Sequence, residues 1–145
     1  MAEIHEGGCV CGAVRYKVAG QPARSSVCHC AFCQRRTGSA FLLAIWFYEK
    51  DVQISGESLK SYEHRSDETN RWIRLQFCST CGTTVTHTAE FLPGLRAITG
   101  GTFDDRSWFK LERHIWMRSA QPWVIVPPDV PVFPKSAPPP LPSAP

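Results

Sequence analysis

Seven cysteines gathered into three tight clusters constrain this chain more than any other feature of its 145 residues. They stand as Cys9-Val10-Cys11, Cys28-His29-Cys30-Ala31-Phe32-Cys33 and Cys78-Ser79-Thr80-Cys81. An odd number cannot pair fully within one chain, and a cytosolic thiol pool keeps disulfides reduced. Close spacing then points to metal rather than to bridges. Isolated buried cysteines serve as small hydrophobes, but that does not account for such clustering.

The first and third clusters each end in glycine, as Cys9-Val10-Cys11-Gly12 and Cys78-Ser79-Thr80-Cys81-Gly82. In a CxxCG knuckle the turn aims both sulfurs at one point, and in an extended CxC segment residues two apart share a face. The glycine admits a positive φ and lets backbone N–H groups approach the sulfurs. Each cluster supplies two ligands, and a structural zinc takes four. Cys9, Cys11, Cys78 and Cys81 together make a closed four-cysteine site that ties the first strand to one far along the chain. Such a link suits a small core.

The middle cluster places Cys28, Cys30 and Cys33 within six residues, so one metal can be capped from one side. Three protein ligands and a free fourth position is the plan of a catalytic zinc. The alternative is a second closed site, with a histidine in the fourth place. His29 is adjacent but expected to point away, and His5, His64, His87 and His114 are remote in sequence. Three thiolates leave the metal little positive charge, which suits a soft fourth partner, another thiolate. A thiol bound there loses its proton and becomes the nucleophilic form. The ligand set therefore favours making or breaking a carbon–sulfur bond.

Composition frames this reading. Hydrophobic residues make up 43% of the chain, with five Trp, eight Phe and three Tyr, enough for a small core that a metal can reinforce. No apolar run is long enough for a membrane span, and residues 1–8 lack the pattern of a signal peptide. A cytoplasmic location is expected. The net charge of +3 is mild and interspersed, so nucleic acid is not expected as a partner.

The body spans residues 3–126. Strand signals fall at Ala13–Val18, Phe41–Tyr48, Val52–Ile54, Leu59–Tyr62, Trp72–Phe77, Thr83–Thr88 and Leu95–Thr99, punctuated by glycines. One short helix is predicted over Ala31–Thr37, ended by Gly38. The fold class is mainly β. Residues 127–145 hold nine prolines and are expected to form an extended, flexible tail unless they dock on something.

The order Gly8-Cys9-Val10-Cys11-Gly12-Ala13-Val14-Arg15-Tyr16, then Cys28-His29-Cys30-Ala31-Phe32-Cys33-Gln34-Arg35-Arg36-Thr37-Gly38, then Phe77-Cys78-Ser79-Thr80-Cys81-Gly82 resembles a known family. It is that of the glutathione-dependent formaldehyde-activating enzymes, which includes centromere protein V. Gly101-Thr102-Phe103-Asp104-Asp105, His114-Ile115-Trp116 and Pro122-Trp123 look like the same family, so the resemblance covers about residues 7–123. It implies a β-tent fold of short antiparallel sheets pinned by zinc. It implies two zinc ions per chain, one held by Cys9, Cys11, Cys78 and Cys81 and one by Cys28, Cys30 and Cys33. It also implies a carbon–sulfur lyase joining formaldehyde to glutathione.

Glutathione carries two carboxylates, for which Arg35, Arg36, Arg71 and Arg74 are candidate partners. His114 and Trp116 are candidates for lining the cleft or for the core. No residue stands out as a general acid or base. The leading function is a zinc-dependent carbon–sulfur lyase acting on a thiol adduct of a small aldehyde, with a homodimer compatible. A non-catalytic zinc-binding interaction module and a zinc-dependent hydrolase of a small substrate are the alternatives.

Overall fold

The computed structural model describes residues 2–138. The elements run β1 (Ile4–Gly8), β2 (Arg15–Ala19), β3 (Arg24–Cys28), α1 (Ala31–Thr37), β4 (Leu42–Tyr48), β5 (Val52–Ser55) and β6 (Leu59–Arg65). They continue with β7 (Trp72–Cys78), β8 (Thr84–Ala89), β9 (Leu95–Thr99) and β10 (Arg113–Ile115). Three 3-10 turns cover Glu49–Asp51, Gly100–Thr102 and Met117–Ser119. The protein is mainly β with one short helix, as its alternating and apolar runs predict. Two compact units emerge: residues 2–25 with 43–110, and residues 26–42 with 111–138.

In the first unit β1, β2 and β5 form a three-stranded antiparallel sheet. Strand β2 shows why: Tyr16 and Val18 are buried while Lys17 between them is exposed, the period-2 pattern of a half-buried strand. Strands β4, β9, β8, β7 and β6 follow one another as antiparallel neighbours, with a bulge in β7 at Gln76/Phe77. Strand β4 is apolar on both faces, and Ala44, Ile45, Trp46 and Phe47 are all buried. That is the continuous run expected of a strand covered on both sides.

The core of this unit gathers Val14, Tyr16, Val18, Ile45, Phe47, Val85, Ile98 and Phe103 with the sulfurs of Cys9 and Cys78. Phe103 is its centre, 1% exposed, with Tyr16 edge-on at 5.4 Å, Trp108 edge-on at 5.3 Å and Phe109 at 5.8 Å. Aromatic pairs in these geometries add to simple area burial. The Tyr16 hydroxyl bonds Thr102 Oγ1 at 2.8 Å, and Thr102 Oγ1 donates to Thr99 O at 2.7 Å, so the polar tip of Tyr16 is satisfied.

In the second unit β3 pairs with β10 in parallel, in the register Arg113↔Ser26, His114↔Val27 and Ile115↔Cys28. This parallel pair stands beside the antiparallel strands that the resemblance implies. The connection from β3 to β10 runs through most of the chain, and a long connection permits a parallel neighbour where a tight hairpin does not. Helix α1 occupies the predicted residues and stops at Gly38, whose φ of 65° is left-handed and whose N–H bonds Gln34 O.

Part of the proline-rich tail is docked. Residues 131–135 exchange backbone hydrogen bonds with residues 114–118. Residues 139–145 lie outside the described residues. Among the described residues no helix is long and apolar enough to cross a membrane.

Truncating Phe103→Ala removes the centre of the aromatic cluster and is expected to destabilise the protein by about 3–5 kcal/mol, as for other buried aromatics. Chemical denaturation of the two proteins measures it; a loss below about 1 kcal/mol would mean that the cluster does not hold this unit together.

Candidate metal centres

The structure brings the first and third cysteine clusters together. The sulfurs of Cys9, Cys11, Cys78 and Cys81 all lie within 4.8 Å of one another. Cys9 and Cys11 are 3.6 Å apart, and Cys11 and Cys78, sixty-seven residues apart in sequence, are at 3.8 Å. Zinc–sulfur bonds of about 2.3 Å in a tetrahedron imply sulfur–sulfur edges of about 3.8 Å. The spacing fits a thiolate-bound metal of that size.

Two turns of matching design deliver these sulfurs. Gly12 N donates to Cys9 O at 3.1 Å and Gly82 N to Cys78 O at 2.7 Å, and both glycines have φ of +81°. A side chain is strained in that conformation, which accounts for glycine after each cysteine pair. Beyond each turn the chain returns antiparallel: Cys9 N bonds Val14 O at 3.0 Å and Cys78 N bonds Thr83 O at 2.9 Å.

Hydrogen-bond donors reach the sulfurs as well. Val14 N donates to Cys9 Sγ at 3.2 Å, Ser58 Oγ sits 3.3 Å from Cys78 Sγ, and Thr83 Oγ1 sits 3.2 Å from Cys81 Sγ. The Thr83 hydroxyl, with backbone donors of Thr83 and Cys11, brings Cys81 down to about 5. Ser58 lowers Cys78 in the same way. Both effects favour the thiolate that a metal needs. Ser58 and Thr83 escaped the sequence reading, although Thr83 immediately follows the second knuckle glycine.

The middle cluster forms the second candidate centre, entirely within the second unit. Cys28, Cys30 and Cys33 also hold their sulfurs within 4.8 Å of one another. Cys28 ends β3, Cys30 is the N-cap of α1 and Cys33 lies in its first turn. The Cys30 sulfur accepts from Cys33 N at 3.3 Å, the bond that a serine or aspartate oxygen makes at an ordinary cap. Hydrogen bonds from the Cys28 and Cys33 thiols, aided by backbone donors, bring Cys30 down to about 3. The same Cys30 hydrogen bond pushes Cys28 up. Cys33 is pushed up to about 11: the hydrogen bond with Cys28 lowers it, the hydrogen bond with Cys30 and burial outweigh that, and the Arg36 charge offsets only part.

Among the described residues no histidine, aspartate or glutamate joins either sulfur set. His29 is fully buried and bonds through Nε2 to Nδ1 of His114 at 2.8 Å. Its ring turns from the flanking cysteines to a partner eighty-five residues away in sequence. His5 stacks on Trp108, His87 packs edge-on to Trp46, and His64 faces Tyr62.

The four candidate arginines separate. Arg74 bonds Glu63 at 2.9 Å and lies over the Trp72 ring at 4.1 Å, within the first unit, to which Arg71 also belongs. Arg36 stands over Phe32. Arg35 is exposed on α1 and lines a pocket of about 770 Å³ with Ala31, Gln34, Ser39, Gln121 and Trp123. A relay of hydrogen bonds fixes that wall: Trp123 Nε1 donates to Gln121 Oε1, Gln121 Nε2 to Gln34 Oε1, and Gln34 Nε2 to the carbonyls of His29 and Ser119. Ala31 on the rim is next in sequence to Cys30, but none of Cys28, Cys30 and Cys33 lines the pocket. Trp116 lies in this unit too, in a left-handed backbone conformation with Arg118 over its ring.

In metal-free protein at about pH 6.5, iodoacetamide is expected to modify Cys81 well before Cys78 and Cys28, because Cys81 is exposed and largely thiolate above about pH 5. Lowering the pH through that value should suppress the reaction. Mass-spectrometric mapping of the alkylated peptides checks the order, and equal labelling of all three would contradict it.

The model of the glutathione-dependent formaldehyde-activating enzyme family matches residues 4–119. A solved structure of a Rhodobacter sphaeroides protein superposes with a TM-score of 0.56 at 23% identity, covering 88% of this chain and 98% of that one, a likeness of fold. No curated protein matches the chain. With all three cysteine clusters and the strands between them inside the matched region, the chain belongs to the glutathione-dependent formaldehyde-activating enzyme family.

Proposed function

We propose that the chain is a two-zinc cytoplasmic enzyme that makes or breaks the carbon–sulfur bond between a thiol of the glutathione type and a small aldehyde. Cys9, Cys11, Cys78 and Cys81 hold the structural ion. Cys28, Cys30 and Cys33 hold the working one. The observation that carries the reading is the contrast between the clusters: four sulfurs converge in one, and only three in the other, with no further ligand side chain among the described residues. When bound, zinc on three thiolates offers little Lewis acidity and a soft fourth position that keeps an incoming thiol deprotonated.

The residues around this centre then divide the work. The turn from β3 into α1 sets the three sulfurs to one side. The hydrogen bond from Cys33 N to Cys30 Sγ orients one of them. Arg35, exposed on α1 in the pocket that Ala31 and Gln34 also line, is the cation assigned to a substrate carboxylate, and the hydrogen bond from Gln121 to Gln34 braces that wall. In the forming direction the thiolate sulfur bonds to the carbonyl carbon, and the carbonyl oxygen takes up a proton equivalent to the one the thiol lost. The reverse reaction breaks the same bond. No side chain is assigned to that proton.

The expected result in solution is that purified zinc-loaded protein speeds the equilibration of formaldehyde with glutathione, followed by NMR exchange. Cys30→Ser should abolish the acceleration while leaving one zinc equivalent and the fold. Arg35→Ala should raise KM for glutathione about tenfold with little change in kcat, the signature of a lost substrate contact. A wild-type rate equal to the uncatalysed one, with the cobalt-substituted centre indifferent to added thiol, would favour the non-catalytic zinc module instead.

A further inference from the structure

Strand β10 lies between two neighbours within the second unit. On one edge it runs parallel to β3, with Ile115 opposite Cys28, and Ile115 O accepts from His29 N at 3.0 Å. On the other edge it takes the proline-rich segment. His114 N donates to Pro131 O at 2.9 Å, Phe133 N donates to His114 O at 2.9 Å, and His114 bridges Val132 in parallel. Past the strand, Trp116 N bonds Lys135 O at 3.0 Å, Met117 N bonds Phe133 O at 3.0 Å and Arg118 N bonds Pro134 O at 3.2 Å. Prolines suit this role because Pro131 and Pro134 offer carbonyls to the covered strand and leave no N–H unpaired on the outer edge.

Two details show that the segment holds β10 in a demanding conformation. Trp116 has φ of 58°, which is uncommon for a bulky residue and persists only where the surroundings fix it. Its own N–H is the one bonded to Lys135 O. The His114 ring is 5% exposed and its Nδ1 meets His29 Nε2 at 2.8 Å, inside the segment that carries Cys28 and Cys30. The peptide carbonyl of His29 accepts from Gln34 Nε2, which also donates to Ser119 O at the end of the held turn. The loop between Cys28 and Cys30 is therefore tied by its N–H, its carbonyl and its ring to residues 114–119.

We propose that His114 is a positioning residue of the three-cysteine centre, acting through His29, and that residues 131–135 form the strap that keeps it in place. The proposal rests on the reading of Cys28, Cys30 and Cys33 as a metal centre. Neither histidine is a ligand; the pair fixes the backbone on which two ligands sit, as outer hydrogen-bond partners do at other metal sites.

The test uses the full-length zinc protein and the rate at which each zinc equivalent passes to a chromogenic chelator. His114→Ala deletes the ring bond, and His114→Asn retains a polar atom near the Nδ1 position. Phe133→Pro removes the N–H that bonds His114 O, and Phe133→Ala keeps it while losing the ring. The expected result is that one equivalent leaves about 10–100-fold faster in His114→Ala and Phe133→Pro. The other equivalent should keep its wild-type rate, and His114→Asn and Phe133→Ala should stay near wild type. Thiolate-to-cobalt charge-transfer bands of the cobalt-substituted proteins should shift in the same two variants. Unchanged release in both, equal acceleration of both equivalents, or an asparagine variant no better than alanine would overturn the proposal. A wild-type protein holding a single equivalent, or a Cys30→Ser variant that still holds two, would instead overturn the reading of the centre itself.

Discussion

The convergence of four sulfurs from two glycine-ended turns is the constraint around which the first unit is arranged. Cys11 and Cys78 come within 3.8 Å although sixty-seven residues separate them. Four thiols gain little from such closeness by themselves, since sulfur is a weak hydrogen-bond donor and acceptor. The donors supplied by Val14, Ser58 and Thr83 indicate what the arrangement favours: they stabilise negative sulfur. Bringing several thiolates together is unfavourable until a cation neutralises them, so the turns and the core beside them suit a bound metal ion, a requirement zinc meets. Cys9 and Cys78 belong to the same buried cluster as Val14 and Phe103. Packing of the apolar core and geometry of the sulfur set are therefore one problem, solved together.

The second cluster uses the same chemistry with a different emphasis. Its three sulfurs come from one short stretch, so little chain entropy is lost in assembling them. What needs fixing is orientation. A seven-residue helix is too short to be stable by itself, and its ordering comes from the contacts of its ends. Cys30 is both the cap and a candidate ligand, which couples the start of the helix to the site. Arg35 and Arg36 in the last turn offset the helix dipole, while Arg36 also raises the positive potential at Cys33.

Much of this was legible in the sequence because the relevant signals are local. The CxC and CxxC spacings define both sulfur sets, and the structure brings each set within 4.8 Å. Helix α1 and strand β9 occupy the predicted residues, β4, β5 and β7 differ by a residue at one end, and β8 is displaced by one residue. What escaped follows a physical rule too. Strand β3 is Arg-Ser-Ser-Val-Cys, polar in sequence yet buried, because Ser25 and Ser26 are small and the Ser25 hydroxyl reaches the Lys110 carbonyl. Strand β1 carries two glycines, and β10 has only three residues, too few for a period to show. The residues that position the second cluster were hidden for a related reason. His29 announces only that it sits between two cysteines, and its partner His114 is brought to it by pairing of β10 with β3.

The proline-rich segment carries this point furthest. Proline content alone excludes a helix or a central strand, and an extended tail follows from it. It does not exclude an edge strand, where a missing N–H is an advantage rather than a loss. Whether such a segment docks depends on whether a neighbouring strand presents donors at matching intervals. The backbone of residues 114–118 does so, in part because Trp116 takes a left-handed conformation that turns its N–H toward Lys135 O. Local composition thus limits what the tail can be, and a strained residue at a distance in sequence decides what it is. The left-handed backbone of Trp116 and the extended segment 131–135 meet in one hydrogen bond, from Trp116 N to Lys135 O, so the turn and the segment beside it are matched in geometry.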